Sequence, residues 1–168
     1  YGDAATEKNG FAYNWLPKVD DGQNCDVLHM IDDMYHGKIK GYFCIGQNPC
    51  GSLPNTNKVR AAMTKLEWMV HVNIFYNEPA PFWKGPGLDP KKVKTECFLL
   101  PASANMEKDG SQANSGRWMQ WMYPAYPAPG DCLSTGAMVT RLMHKIQDMY
   151  KKSGGAMPDG ILNLRMDY

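Results

Sequence analysis

Apolar residues recur at helical spacing in three stretches and run almost unbroken in three others. The first stripe is Val27, Leu28, Ile31, Met34 and Tyr35. The second is Val59, Ala62, Met63 and Leu66, and the third is Met138, Leu142, Ile146, Met149 and Tyr150. Steps of three and four along one face predict amphipathic helices. Asn24 or Asp26 is placed to cap the first helix and Gly37 to end it, while Asn55 or Thr56 caps the second. The third spans about 134–153 and closes at Gly154-Gly155. The unbroken runs are Tyr42-Phe43-Cys44-Ile45, Trp68-Met69-Val70-His71-Val72 and Cys97-Phe98-Leu99-Leu100. Runs this short fit strands buried in a sheet. A helix between the first two strands favours a parallel crossover. The expected fold is α/β: a three-layer, Rossmann-like, mostly parallel sheet with helices on both faces.

Polar segments separate these elements. After the first strand comes GQNPCGSLPNTN, which is too polar to bury and too rich in Gly and Pro for helix. After the second comes a loop from Asn73 to about Lys94, punctuated by Pro79, Pro81, Pro86 and Pro90. Residues 1–24 read as an irregular opening segment and 25–116 as the sheet core. Residues 117–133 read as an excursion toward a neighbouring domain and 134–153 as a helix returning to the sheet. The stretch 101–133 is loop-rich, with one aromatic island from Trp118 to Tyr123 broken by Pro124, Pro127 and Pro129.

Composition narrows the function. The 168 residues are 43% hydrophobic, enough for a core and too apolar for a disordered chain. The net charge of +1 gives no general electrostatic grip on nucleic acid. No apolar run is long enough to span a bilayer. Five cysteines form no CxxC pair, so a zinc knuckle is not expected. Cys44 and Cys97 read as core thiols, and Cys50, in a polar loop, is the cysteine to follow. The chain begins at Tyr1 without Met and stops just after an apolar stretch, and it reads as a piece of a longer polypeptide.

Candidate chemistry gathers on the two loops. In a parallel sheet both leave the carboxyl edge, where α/β proteins bind nucleotide-like ligands. Gly46 allows close backbone approach, and Gln47 and Asn48 carry paired donors and acceptors suited to a base or ribose edge. Asn73 and Glu78 lie on the second loop, within reach of the same ligand. A third polar segment, Asp109 to Arg117, ends in a guanidinium able to clamp a phosphate or carbonyl. There is no GxxxxGK[ST], no GxGxxG and no GxSxG. The four histidines read as structural or solvent-facing, and no complete catalytic set is present.

Several longer strings together resemble the catalytic alpha subunit of the molybdenum- or tungsten-dependent formate dehydrogenases. They are NGFAYNWLPK, GKIKGYFCIGQNP, PNTNKV, VKTECFLLPASANMEKDGSQANSGRWMQW and GGAMPDGILNL, spread from about Asn9 to Tyr168. The wider group has a strand ending in G-x-N-P, a strand ending in D-x-F-x-T-E-T, and a later E-x-x-G-S/T-x-x-N leading to a glycine and an arginine. Gly46, Gln47, Asn48 and Pro49 fit the first pattern. Asn73, Phe75 and Glu78 fall on the second, with Asn73, Asn77 and Pro79 departing from its usual Asp, Thr and Thr. Glu107, Gly110, Asn114, Gly116 and Arg117 fit the third.

The resemblance implies that the sheet edge holds the guanosine end of a molybdopterin guanine dinucleotide. It also implies that the third segment runs toward the pterin and metal. The metal-bound selenocysteine or cysteine, its histidine and arginine, and the iron–sulfur ligands belong to motifs absent from these residues. The piece would therefore bind cofactor without turning over formate, with no catalytic residue and no metal ligand of its own. The implied partners are the rest of the catalytic subunit and an iron–sulfur beta subunit, in the periplasm. The alternatives are another member of the group, such as a nitrate or dimethyl sulfoxide reductase, or a free-standing nucleotide-binding or scaffold module.

Overall fold

A computed structural model describes residues 1–18, 22 and 24–166. Parts of the opening segment (Val19, Asp20, Asp21 and Gln23) and the end at Asp167-Tyr168 lie outside the described residues. The chain divides into two compact units, Asn24–Ser134 and Tyr1–Gln23 with Thr135–Tyr168.

The first of these units is built on a three-stranded sheet. Its elements are α1 (Val27–Tyr35), β1 (Gly41–Ile45), α2 (Pro49–Ser52), α3 (Thr56–Met63), β2 (Trp68–Asn73) and β3 (Glu96–Pro101). Strand order is β1-β2-β3 and both pairings are parallel. The α/β character and the parallel sheet expected from the hydrophobic pattern are both present.

Local chemistry starts each helix where the sequence marks it. The Asp26 carboxylate accepts from the backbone N–H groups of Leu28 and His29, capping α1. Asn55 caps α3 by accepting from Lys58 N at 3.2 Å, and takes the left-handed conformation that asparagine tolerates best after glycine. In this unit one helix lies where none was expected. Asn48 caps, and Pro49 begins, a single turn at α2. Proline in the first turn loses no helical hydrogen bond, so the proline read as excluding helix here starts one.

The core lies between the sheet and α1 with α3. Ile31 and Met34 from α1 meet Val59, Ala62, Met63 and Leu66, all buried, against Tyr42, Cys44 and Met69. The second-loop residue Phe82 is fully buried in the same cluster. The Thr95 hydroxyl lies 2.8 and 2.9 Å from the carbonyls of Met63 and Leu66, tying the start of β3 to the end of α3. Gly41 is required by close approach, since a methyl group there would sit 2.0 Å from the Trp68 ring. That ring meets Phe43 edge-on, 5.3 Å between centroids, on the opposite sheet face. This second face carries the register rows Phe43–Val70–Phe98 and Ile45–Val72–Leu100. The outer members Phe43, Ile45, Phe98 and Leu100 are exposed.

After β3 the chain makes a hairpin, β4 (Gly110–Ala113) with β5 (Met119–Met122), paired antiparallel. The aromatic island read as loop therefore contains a strand. Trp121 and Met119 sit opposite Ser111 and Ala113, and such cross-strand pairs stabilise a ribbon that helical or core periodicity does not reveal.

Among its described residues the other unit has three single 3-10 turns, then α4 (Thr135–Ser153) and α5 (Pro158–Leu162). Asn9 organises the turns: its Oδ1 accepts from Thr6 N and Ala12 N, and its Nδ2 donates to Ala4 O at 2.7 Å. Gln147 Nε2 lies 2.9 and 2.7 Å from the carbonyls of Ile161 and Leu164, joining α4 to α5. The expected stripe of α4 is met in part: Met138, Ile146 and Tyr150 are half-buried, as are Met143 and Gln147, while Thr140 is buried and Leu142 and Met149 are exposed. The free carbonyls at the end of α5 need a donor, and Gln147 supplies it from within the packed side.

Candidate functional site

The two loops expected to hold a ligand meet at the carboxyl edge of the sheet. Gly46 leaves β1 with φ of +67°, a left-handed conformation suited to glycine, and its N–H donates to Val72 O at 2.8 Å. The chain then turns so that Gln47 O accepts from Asn73 Nδ2 at 3.3 Å and from Cys44 Sγ at 3.4 Å. Asn48 is used at both ends of its amide. Its Oδ1 accepts from Gly51 N at 3.1 Å, capping α2, and its Nδ2 donates to Glu78 Oε2 at 2.6 Å. Pro49 is buried beneath this turn.

The second loop is held from both sides. Asn73 Oδ1 accepts from Ile74 N at 2.8 Å, and Asn73 O accepts from Ala102 N, so this residue touches all three strand ends. Glu78 is exposed. The Glu78 backbone N–H, and then the Asn48 amide, hold its carboxyl below the usual range, so it is ionised at neutral pH. The structure thus gives Asn48 and Asn73 the work of fixing the loops. Gln47, Phe75 and Glu78 are left with exposed side chains.

A groove of about 290 Å³ opens beside these residues, lined by His71, Asn73, Phe75, Tyr76, Leu99 and Pro101 among others. His71, Tyr76 and Leu99 were not singled out in the sequence. The available signal was position: His71 lies two residues before the end of β2, on the strand row of Leu99.

The third polar segment forms the β4–β5 hairpin, and the bonds shaping its tip are internal. Asn114 Oδ1 accepts from Gly116 N at 2.9 Å and from Trp118 N at 3.4 Å, and Arg117 N donates to Asn114 O. Arg117 has φ of +63°, uncommon for a residue with a side chain. Gly110 opens β4, and Glu107 Oε2 accepts from Ala104 N at 2.7 Å. Gly110, Asn114, Gly116 and Arg117 therefore share one hairpin, separate from the hydrogen-bonded pair of loops.

Cys50 is not a reactive loop thiol. It is buried, with Sγ 3.9 Å from Met63 Sδ, and burial pushes its pKa up. Burial likewise raises Cys44 to about 11. Among the described residues no three His, Cys, Asp or Glu side chains are grouped to hold a metal. No helix among them is long and apolar enough to cross a membrane.

The polar groups exposed at the sheet edge are chemically compatible with a purine base. An ionised carboxylate can accept from the N1–H and exocyclic amine of guanine, as Glu78 offers. Gln47 adds an exposed amide, and Phe75 and Tyr76 offer ring faces for stacking.

No family model matches the chain. It is similar to the formate dehydrogenase 2 subunit alpha (cytochrome c-553) of Nitratidesulfovibrio vulgaris, 46% identical over 164 residues. It is 47% identical over 157 residues to the formate dehydrogenase subunit alpha of Megalodesulfovibrio gigas. It is 38% identical over 172 aligned positions to the nitrate-inducible formate dehydrogenase major subunit of Escherichia coli. These matches cover 98%, 94% and 100% of the chain. The chain spans only 16%, 16% and 17% of the length of these curated relatives.

Proposed function

Because the chain belongs to the formate dehydrogenase alpha-subunit family, we propose that its sheet edge binds the guanosine end of a molybdopterin guanine dinucleotide. The observation that carries this is the hydrogen-bonded junction of the β1 and β2 loops. Asn48 reaches Glu78 and Asn73 reaches Gln47, which leaves Gln47, Phe75 and Glu78 turned to solvent at a parallel sheet's carboxyl edge.

In this reading each residue has a role. Gly46 and Asn48 set the first loop, and Asn73 aligns it with the second. Glu78 accepts from the guanine edge, and Phe75 covers one face of the base. Gly110, Asn114, Gly116 and Arg117 form the hairpin that, in this reading, runs toward the pterin. The bound metal–pterin group supplies the two-electron oxidation of formate to carbon dioxide and a proton. This chain's residues contribute binding and orientation, and the metal ligands come from other parts of the subunit. The choice of molybdenum or tungsten, the iron–sulfur clusters, the beta subunit and a periplasmic home go with the family reading. The three relatives described above are formate dehydrogenases and a nitrate reductase matches only more distantly, which does not favour a nitrate or dimethyl sulfoxide reductase or a free-standing module.

The test uses the full-length subunit that contains this chain. Guanine nucleotide released on denaturation is quantified for wild type, Glu78→Ala and Gln47→Ala. The variants are expected to release less than wild type. Equal release from all three overturns the assignment of this edge.

A further inference from the structure

The groove beside β2 and β3 is bordered by a side chain with one polar atom that the protein leaves unserved. His71 is 3% exposed, and its Nε2 lies 2.8 Å from Asn77 Oδ1. An amide oxygen only accepts, so Nε2 carries the proton and donates. Burial lowers the imidazole's pKa below the ordinary histidine value, partly offset by the bond to Asn77, so the ring is neutral at pH 7. With the proton on Nε2, Nδ1 is a bare lone pair. That atom is buried and has no hydrogen-bond partner.

Native proteins rarely leave such an acceptor unmet, and an exception asks for a reason. The position supplies one. His71 pairs in register with Leu99, and both line the groove at the edge where Asn73 and Phe75 also stand. A volume of about 290 Å³ sits at the lower end of the range for small-molecule sites, the size of a nucleoside rather than of a whole dinucleotide. Nδ1 itself is buried, while Phe75 and Tyr76, which line the same groove, are 74% and 64% exposed.

We propose that His71 is a specificity-determining residue of the guanosine site, its Nδ1 accepting a hydrogen bond from an N–H or O–H donor of the bound nucleoside. This rests on the reading of the edge as a guanosine site. His71 then discriminates against ligands that present an acceptor at that position, since two facing lone pairs repel. Its second nitrogen holds Asn77, so ligand contact and loop position are joined through one ring.

The experiment uses the full-length subunit freed of cofactor, with guanosine 5′-monophosphate as probe. Two variants separate the ring's two nitrogens. His71→Gln places an amide nitrogen near the former Nε2 and keeps the donor to Asn77, but removes the Nδ1 lone pair. His71→Asn places an amide oxygen near the former Nδ1. By calorimetry, His71→Gln is expected to bind about tenfold more weakly, and His71→Asn to stay nearer wild type. In wild type labelled with nitrogen-15 at histidine, the His71 Nδ1 resonance is expected to shift on adding the nucleotide, a readout that needs no variant to fold. Equal affinity of wild type and His71→Gln, with an unmoved Nδ1 resonance, overturns the role of His71 and leaves the guanosine edge intact. A wild-type subunit that binds no nucleotide overturns the edge assignment and this inference together.

Discussion

The side-chain amide of Asn48 donates to the carboxylate of Glu78 at 2.6 Å, across 30 residues of chain. Asn48 follows β1 and Glu78 follows β2, so one hydrogen bond joins two loops that the helices α2 and α3 separate in sequence. Because the other end of the same amide caps α2, displacing Glu78 disturbs the start of that helix as well.

This link should depend on pH. Glu78 is held below the usual carboxylate range by its own backbone N–H and by Asn48, so its folded pKa is depressed relative to the unfolded chain. A depressed carboxylate contributes stability that is fully present above the unfolded value and is lost as pH falls through the folded value. Urea unfolding of wild type and Glu78→Gln from about pH 7 to about pH 3 is the measurement. Their difference is expected to be constant at neutral pH and to shrink on the acid side.

The cysteines should separate by burial. Cys25 is exposed, whereas Cys44 and Cys50 are buried with raised pKa values. The thiolate is the reactive form, so burial and a raised pKa both slow alkylation. Mass spectrometry after brief iodoacetamide treatment should find Cys25 labelled first. Cys44 and Cys50 should label at a comparable rate only in denaturant.

Phe82 anchors the second loop to the core and is fully buried. Phe82→Ala removes a large apolar group and leaves a cavity, at a cost of about 3–5 kcal/mol in unfolding free energy. Denaturant titration checks the number. The same variant should weaken guanosine nucleotide binding, because Glu78 and Asn77 sit on the loop that Phe82 holds down.

At Asn55, capping and backbone conformation can be distinguished. Asn55→Ala loses the bond to Lys58 N and forces alanine into the left-handed region, for a cost of roughly 1–2 kcal/mol. Asn55→Gly loses the cap but suits the backbone, and should cost only a few tenths of that. Equal losses in thermal unfolding would count against the positive φ at this position.

The sheet and the two main helices of its unit were legible because their signal is local. Val59, Ala62, Met63 and Leu66 lie one helical turn apart, and all four are buried. The strands Tyr42–Ile45 and Cys97–Leu100 announced themselves as short apolar runs between glycines and prolines. The β4–β5 hairpin did not. Both its faces are largely exposed, so alternation carries no inside–outside contrast, and only cross-strand pairing reveals it. The stripe of α4 was legible only in part, for a related reason. Polar Thr140 is buried there without a hydrogen-bond partner for its hydroxyl, and half-buried Gln147 spends its amide on two carbonyls, so hydrophobic periodicity is blind to both. At the candidate site, the sequence picked the residues with amides and carboxylates. It gave no sign that Asn48 spends its amide on the protein, or that a strand histidine borders the groove.

The sheet face bearing Phe43, Ile45, Phe98 and Leu100 has a bearing on how this protein behaves in the tube. Exposed apolar area raises the interfacial free energy with water, and excluded salts such as sulfate raise it further. Salting-out should therefore begin at low ammonium sulfate, with these four side chains contributing beside the near-neutral charge. Replacing Phe98 with glutamate ought to move the precipitation point upward while leaving the circular dichroism spectrum of the dissolved fraction as it was.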